Sequence, residues 1–163
     1  MNNDEVKSID VGDWDHITVN RLYDGSRIKV FYIQNVGWNI STSRCINACK
    51  AFWHSPKSFY ELFMECLGNF NLNDLDQNKC YTFIIQHPEN RIVIPYRTPS
   101  LIHVSTYDKN LNCPVDDDLG LPKAEVCNFK SFDKLIENLL TQDYYFPGYM
   151  LTDNNYNRVH LIS

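Results

Sequence analysis

The sequence predicts an α+β fold: a single domain built on a mainly antiparallel sheet with flanking helices. Short runs of alternating apolar and polar residues recur along the chain, each bounded by turn residues. Two segments, around 59–67 and 132–140, instead carry apolar residues at helical spacing. The 163 residues suffice for one sizeable core, and no repeat, low-complexity tract or linker interrupts them. The division expected is a polar lead-in over residues 1–14 and the domain over 15–163.

The elements follow in order. Met1 to Asp10 is polar and acidic, unlike a signal peptide or a basic transit sequence. Ile17 and Val19 alternate with polar residues, and Tyr23-Asp24-Gly25-Ser26 supplies turn chemistry. Ile28, Val30 and Tyr32 form the next strand, Asn35-Val36-Gly37 a hairpin loop, and Trp38 to Thr42 the third strand. Ser58 and Glu61 make a Ser-x-x-Glu capping box before Phe59, Leu62, Phe63, Cys66 and Leu67, and Gly68 stops that helix. Residues 79–86 and 91–96 are β-rich runs flanking a His87-Pro88-Glu89-Asn90 turn, and Ile102 to Tyr107 is a further strand. Asp108 to Asn128 reads as long, polar and irregular. Phe132, Leu135, Ile136, Leu139 and Leu140 give the second helix. Gly148 to Leu151 and Arg158 to Ile162 close the chain as two strands joined by an Asn-rich turn.

Composition excludes several classes. The formal net charge of −5 opposes a protein that coats nucleic acid, although it leaves room for a local basic groove. No apolar run approaches the ~20 residues of a membrane span, so no membrane partner is expected. The acidic run Asp116-Asp117-Asp118 reads as a solvated loop. Cysteines 45, 49, 66, 80, 113 and 127 are expected to be reduced thiols in an intracellular, cytosol-like compartment. Cys45 and Cys49 could share a helical face, but no Cys-x-x-Cys or paired histidine completes a zinc set, so no metal is expected and the thiols read as small buried hydrophobes.

Four stretches, taken in order, resemble one enzyme family. They are Leu22-Tyr23-Asp24-Gly25-Ser26; Ile40-Ser41-Thr42-Ser43-Arg44; the run Phe83 to Tyr96, which contains Pro88-Glu89-Asn90-Arg91-Ile92-Val93-Ile94; and Pro147-Gly148-Tyr149-Met150, closing with Arg158 to Ser163. Together they are similar to the ATP-dependent RNA ligases of phage type, within the lysine-adenylylating nucleotidyltransferases shared with DNA ligases. The corresponding family patterns are K-x-D-G-S, a small-residue and basic segment, F-E-F-V-x-P-x-N-R-I-V-I-x-Y, and E-G-Y-V followed by K-x-K-S. Residues 24–32 and 38–44 also resemble shorter ligase-like proteins of large DNA viruses, which would admit a virion location. The resemblance implies the nucleotidyltransferase core fold.

It also implies a chemistry. A lysine amine attacks the α-phosphate of ATP, while carboxylates hold ribose and metal and further lysines hold the phosphates. Here Leu22 stands at the nucleophile, Ile84 and Pro147 at the two glutamates, and His160 and Ile162 at the closing lysines. A relocated nucleophile finds poor candidates: the Arg21 guanidinium stays protonated, and Lys29 lies several residues along the next strand. The expectation is a pseudoenzyme that uses no cofactor. Asp24, Gly25 and Gly148 survive in the former site as architecture, while Arg44, Asn90 and Arg91 could still meet an anion or nucleic acid. His87 and His160 read as packed or surface histidines without an assigned partner. Trp14, Tyr23, Tyr32, Trp38 and Tyr96 read as core aromatics more readily than as base-stacking groups.

Three functions compete. A non-catalytic interaction or scaffold protein, with a protein partner or self-association, ranks first on sequence grounds. A residual RNA- or DNA-binding accessory protein ranks second, and an active nucleotidyltransferase with relocated residues third.

Overall fold

A computed structural model describes residues 9–162. Residues 1–8 of the expected lead-in and Ser163 of the closing motif lie outside the described residues. In chain order the strands are β1 (Thr18–Arg21), β2 (Ser26–Ile33), β3 (Gly37–Thr42), β4 (Lys79–Gln86), β5 (Ser100–Asp108), β6 (Cys113–Val115), β7 (Val126–Cys127), β8 (Tyr149–Thr152) and β9 (Arg158–Leu161). Helix α1 (Phe59–Leu67) falls between β3 and β4, and α2 (Phe132–Leu140) between β7 and β8. The α+β class with mainly antiparallel sheet and flanking helices is the fold observed. The chain forms two compact units, one of residues up to Tyr23 with those from Ala124 onward, the other Asp24–Lys123.

In the Asp24–Lys123 unit the strands run β3-β2-β4-β5-β6, every neighbouring pair antiparallel. Central β4 shows why alternation makes a strand: Tyr81, Phe83 and Ile85 are buried on one face, while Thr82 and Ile84 point to the other. Helix α1 covers the buried face with Leu62, Phe63 and Leu67, which join Ile28, Val30 and Phe83 in one core. Burying those three helix side chains contributes roughly 5–9 kcal/mol. The capping box forms as expected: Ser58 Oγ accepts from the Glu61 N–H, and the Glu61 carboxylate accepts from the Ser58 N–H at 2.7 Å.

In the other unit the order is β7-β1-β8-β9, also antiparallel throughout. Helix α2, capped by Ser131, packs Leu135 and Leu139 against Val19 and Leu151. Trp14 belongs to this core: it meets Phe132 edge-on and its Nε1 donates to the Phe129 carbonyl at 2.7 Å.

The structure corrects several expectations. Residues 91–96 form bends and coil, not a strand, and Ile92 and Val93 are exposed instead of filling the sheet. Both edges of β4 are already taken by β2 and β5, Pro95 has no N–H to give, and the Val93 and Ile94 amides are bonded to Asp24. The irregular stretch 108–128 contains the short strands β6 and β7. Cys45 and Cys49 share no helical face, since only a three-residue 3-10 turn, Ala48–Lys50, forms there. Cys49 is exposed, so the buried-hydrophobe reading fails for it, whereas the other five thiols are partly buried. Within the acidic run, Asp117 is paired with Lys79 at 3.0 Å and only partly solvated.

Candidate functional site

Each unit gathers part of the residues singled out in the sequence. In the unit containing α2, the β1–β8 register pairs Arg21 with Tyr149, and β8–β9 pairs Tyr149 with Leu161. One residue beyond this row stand Leu22, Gly148 and Ile162. The Leu22 N–H donates to the Gly148 carbonyl at 2.9 Å. The Gly148 backbone, at φ +115°, approaches Leu161 so closely that a Cβ would lie 1.9 Å from its carbonyl oxygen. His160 on β9 and Ile162, one residue past its end, are both exposed. Leu22, Pro147, Gly148, His160 and Ile162 are therefore brought to one end of one sheet. Arg21 is engaged there, lying 3.7 Å from Glu125 and over the Tyr23 and Phe146 rings.

In the other unit, Asp24, Gly25 and Ile84 come together. Gly25, at φ +143°, leaves no room for a Cβ, which would sit 2.3 Å from the Ile85 carbonyl oxygen and 2.6 Å from Ile84 Cγ2. The Asp24 carboxylate accepts from the backbone N–H groups of Val93 (3.2 Å) and Ile94 (2.8 Å). Its carbonyl accepts from Tyr96 Oη at 2.9 Å and Gln86 Nε2 at 3.3 Å. Asp24 thus clamps the 91–96 segment to the turn. Lys29 is exposed on β2.

The clamp presents Arg91 and Ile92 to a cavity of about 410 Å³, also lined by Ser26, Arg44, Trp53, His54 and Phe59. A second cavity of about 340 Å³ shares Ser26, Arg44, Trp53 and Phe59 and adds Arg27 and Phe52. Among the described residues no Asp or Glu lines either one. Among the described residues neither Arg44 nor Arg91 forms an ion pair; Arg91 Nε donates to the Val93 carbonyl at 3.3 Å. Asn90 does not line the cavity. It is 2% exposed, donates from Nδ2 to Ser26 Oγ at 2.8 Å, and leaves its buried Oδ1 without a partner among the described residues. Phe52 and Trp53 are 55% and 59% exposed. Sequence patterns mark Ser26 only as a turn and motif residue and leave Phe52 and Trp53 aside; the available signal for that pair was a Phe-Trp-His run outside any strand or helix periodicity.

His87 has a partner that the sequence did not assign. It is buried, and its Nε2 lies 2.7 Å from Glu65 while its Nδ1 accepts from the Glu89 N–H at 3.1 Å. That acceptance places the proton on Nε2 for donation to Glu65. Glu65, His87 and Glu89 bring ligand atoms within 4.8 Å of one another. The Lys57 ammonium already bridges both carboxylates at 2.8 and 2.6 Å. Its hydrogen bonds to Glu65 and then Glu89 raise the lysine pKa, and the same bonds lower both glutamates. Lys57 is thus held protonated, the opposite of an amine nucleophile. Trp38 packs against the core of its unit and meets Tyr32 edge-on, whereas the core reading does not hold for Tyr32 and Tyr96: both are half-buried outside the core, and Tyr96 hydrogen-bonds the Asp24 carbonyl.

The fold is similar to part of archaeal ATP-dependent RNA ligases. Two archaeal ATP-dependent RNA ligase structures superpose with TM-scores of 0.62 and 0.60 at 13% and 11% identity, covering 91% and 92% of this chain. They have 43% and 44% of their own lengths covered. Among curated proteins, an RNA ligase of Rhodothermus phage RM378 is 31% identical over 90 residues, 48% of this chain and 20% of that protein. The immediate-early protein ICP-46 homolog of Invertebrate iridescent virus 3 is 40% identical over 75 residues, 42% of this chain and 16% of that protein. No family model matches. The chain is therefore similar both to a phage RNA ligase and to a protein of a large DNA virus, and its matched part spans a fifth or less of those proteins. No helix among the described residues is long and apolar enough to cross a membrane.

Proposed function

We propose that this chain is an RNA ligase-related protein that does not adenylylate and instead holds nucleic acid in the arginine-lined cavity of its Asp24–Lys123 unit. The carrying observation is that cavity: in a chain of net charge −5, Arg44 and Arg91 line one wall with Trp53, and among the described residues no carboxylate joins them. Uncompensated guanidinium groups beside an exposed aromatic suit phosphate and base together. Non-adenylylation is supported by Leu22, Ile84, Pro147, His160 and Ile162, none of which offers a primary amine or a carboxylate. The scaffold reading, first on sequence grounds, has in its favour exposed apolar side chains such as Leu140 and Tyr144, which specify no partner.

Two measurements test the proposal. Incubation with α-labelled ATP or GTP, followed by a denaturing gel, is expected to leave the protein unlabelled; a covalent label would sink the non-catalytic half. Fluorescence anisotropy with a 12-nucleotide RNA is expected to show binding that weakens roughly tenfold to twentyfold between 50 and 200 mM salt, from about three phosphates neutralised by Arg27, Arg44 and Arg91. Absence of binding at 50 mM salt removes the other half.

A further inference from the structure

We infer that the cavity between Arg44, Arg91 and Trp53 is a seat for one nucleotide of a single strand, with a backbone phosphate on the two guanidinium groups and Ser26, and the base stacked on Trp53. This rests on the nucleic-acid reading above. It adds the form of nucleic acid that binds and the residues that select it.

Three observations carry it. The first is the state of Ser26. Its Oγ already accepts from Asn90 Nδ2 at 2.8 Å, and Asn90 is 2% exposed and therefore fixed. A hydroxyl that accepts still has its own proton to give, and among the described residues no acceptor takes it. Ser26 lines the cavity together with Arg44 and Arg91, so one wall offers a neutral donor and two charged ones to an oxyanion. Asn90 acts here as a positioning residue.

The second is the exposed indole. Trp53 is 59% exposed, and its T-shaped pairing with His54, at 5.1 Å and 74°, covers at most one of its faces. Phe59 and the exposed Ile92 line the same cavity and continue the apolar wall. An aromatic face beside a phosphate grip matches the repeating unit of a nucleic acid, whereas an acidic peptide would use the arginines and leave the indole idle.

The third is size. About 410 Å³ accommodates one nucleotide unit. A base within a duplex already stacks on both neighbours and has no free face for the indole, so the seat selects single strands.

The test uses the full chain with fluorescein-labelled 12-nucleotide single-stranded RNA, single-stranded DNA of the same sequence, and the blunt RNA duplex, plus an unlabelled poly-glutamate competitor. Both single strands are expected to bind at least tenfold more tightly than the duplex, and their unlabelled forms to quench tryptophan emission. Trp53→Ala is expected to weaken single-strand binding roughly 5-fold to 100-fold and abolish the quench, while Trp53→Phe restores most of the affinity. Ser26→Ala is expected to weaken binding about 5-fold. Duplex binding equal to single-strand binding, or an unquenched wild-type emission at saturation, overturns the seat while leaving nucleic-acid binding intact. Equal displacement by poly-glutamate also overturns it. If neither single strand nor duplex binds at 50 mM salt, the underlying reading falls with it.

Discussion

Replacing Asp24 by alanine isolates the device that shapes the cavity wall. The wild-type carboxylate accepts two backbone N–H groups, from Val93 at 3.2 Å and Ile94 at 2.8 Å. Hydrogen bonds to a charged acceptor are worth about 1.5–3 kcal/mol each when well formed. Asp24 is half-buried and one of its bonds is long, so a combined loss of about 2–3 kcal/mol is the appropriate scale. The bonds from Tyr96 and Gln86 end on the Asp24 carbonyl and survive in alanine, so the loss falls on 91–96 and spares the sheet. Amide hydrogen exchange reads this directly: Val93 and Ile94 are expected to exchange roughly 30- to 150-fold faster in Asp24→Ala, while the β4 amides stay protected. Asp24→Asn keeps an acceptor oxygen without the charge and is expected to fall between. Unchanged exchange at Val93 and Ile94 in the alanine variant would refute the clamp, and with it the account of why a β-rich run is not a strand.

Other outcomes follow from equally local features. Gly148→Ala and Gly25→Ala each force a Cβ against a backbone carbonyl, 1.9 Å from Leu161 and 2.3 Å from Ile85 respectively. Each is expected to lower the denaturation midpoint by more than about 2 kcal/mol equivalent, against about 1 kcal/mol for Gly37→Ala, whose Cβ meets nothing within 4 Å but whose φ of +108° strains any side chain. The folded-state pKa values of Glu61, Glu65 and Glu89 are lowered, by Ser58 for the first and by Lys57 for the other two. Their stabilisation is therefore complete above the ordinary glutamate range near 4.5 and lost as pH falls through the lowered values. Denaturant midpoints from pH 6 to pH 2.5 should decline in that window, and less steeply for Glu61→Gln. Burial pushes the Cys66 thiol up to about 11, and Cys49 is exposed, so iodoacetamide at pH 8 should label Cys49 well before Cys66 in peptide mapping.

The parts of the fold that were legible in the sequence are those whose cause is local. The Ser58–Glu61 box and the Phe59-Leu62-Phe63-Leu67 face determine α1 within ten residues of chain, and a β-rich run marks β4. The 91–96 segment shows the limit. Its Ile and Val content favours a strand, but its partner is a carboxylate almost seventy positions earlier, and β4 has no edge left to offer. Strands β6 and β7, of three and two residues, are too short to show a period. At the candidate site, Arg44 and Arg91 were readable as possible anion contacts, yet their meeting with Trp53 and Ser26 exists only in three dimensions. Asn90 illustrates the same point in reverse: a polar residue beside an arginine reads as surface, and the fold buries it beneath Ser26.

The motif residues differ in what they do apart from chemistry, and that difference bears on how the ligase resemblance should be read. Gly25 and Gly148 sit where a backbone carbonyl leaves no space for a side chain, and Asp24 ties down a segment through its carboxylate. These are requirements of folding, present with or without ATP. His160 and Ile162 face solvent, and any side chain compatible with a strand edge satisfies the fold there. An Asp-Gly turn and a Gly-Tyr strand start are therefore what this architecture needs merely to exist, so their presence is no argument for adenylylation. The residues that discriminate an active ligase from a binding protein are the ones with no packing duty. On the resemblance, His160 and Ile162 would offer an imidazole and an aliphatic chain where phosphate chemistry calls for ammonium groups; within the Asp24–Lys123 unit, Arg44 and Arg91, which form no ion pair among the described residues, line a cavity with the Trp53 indole.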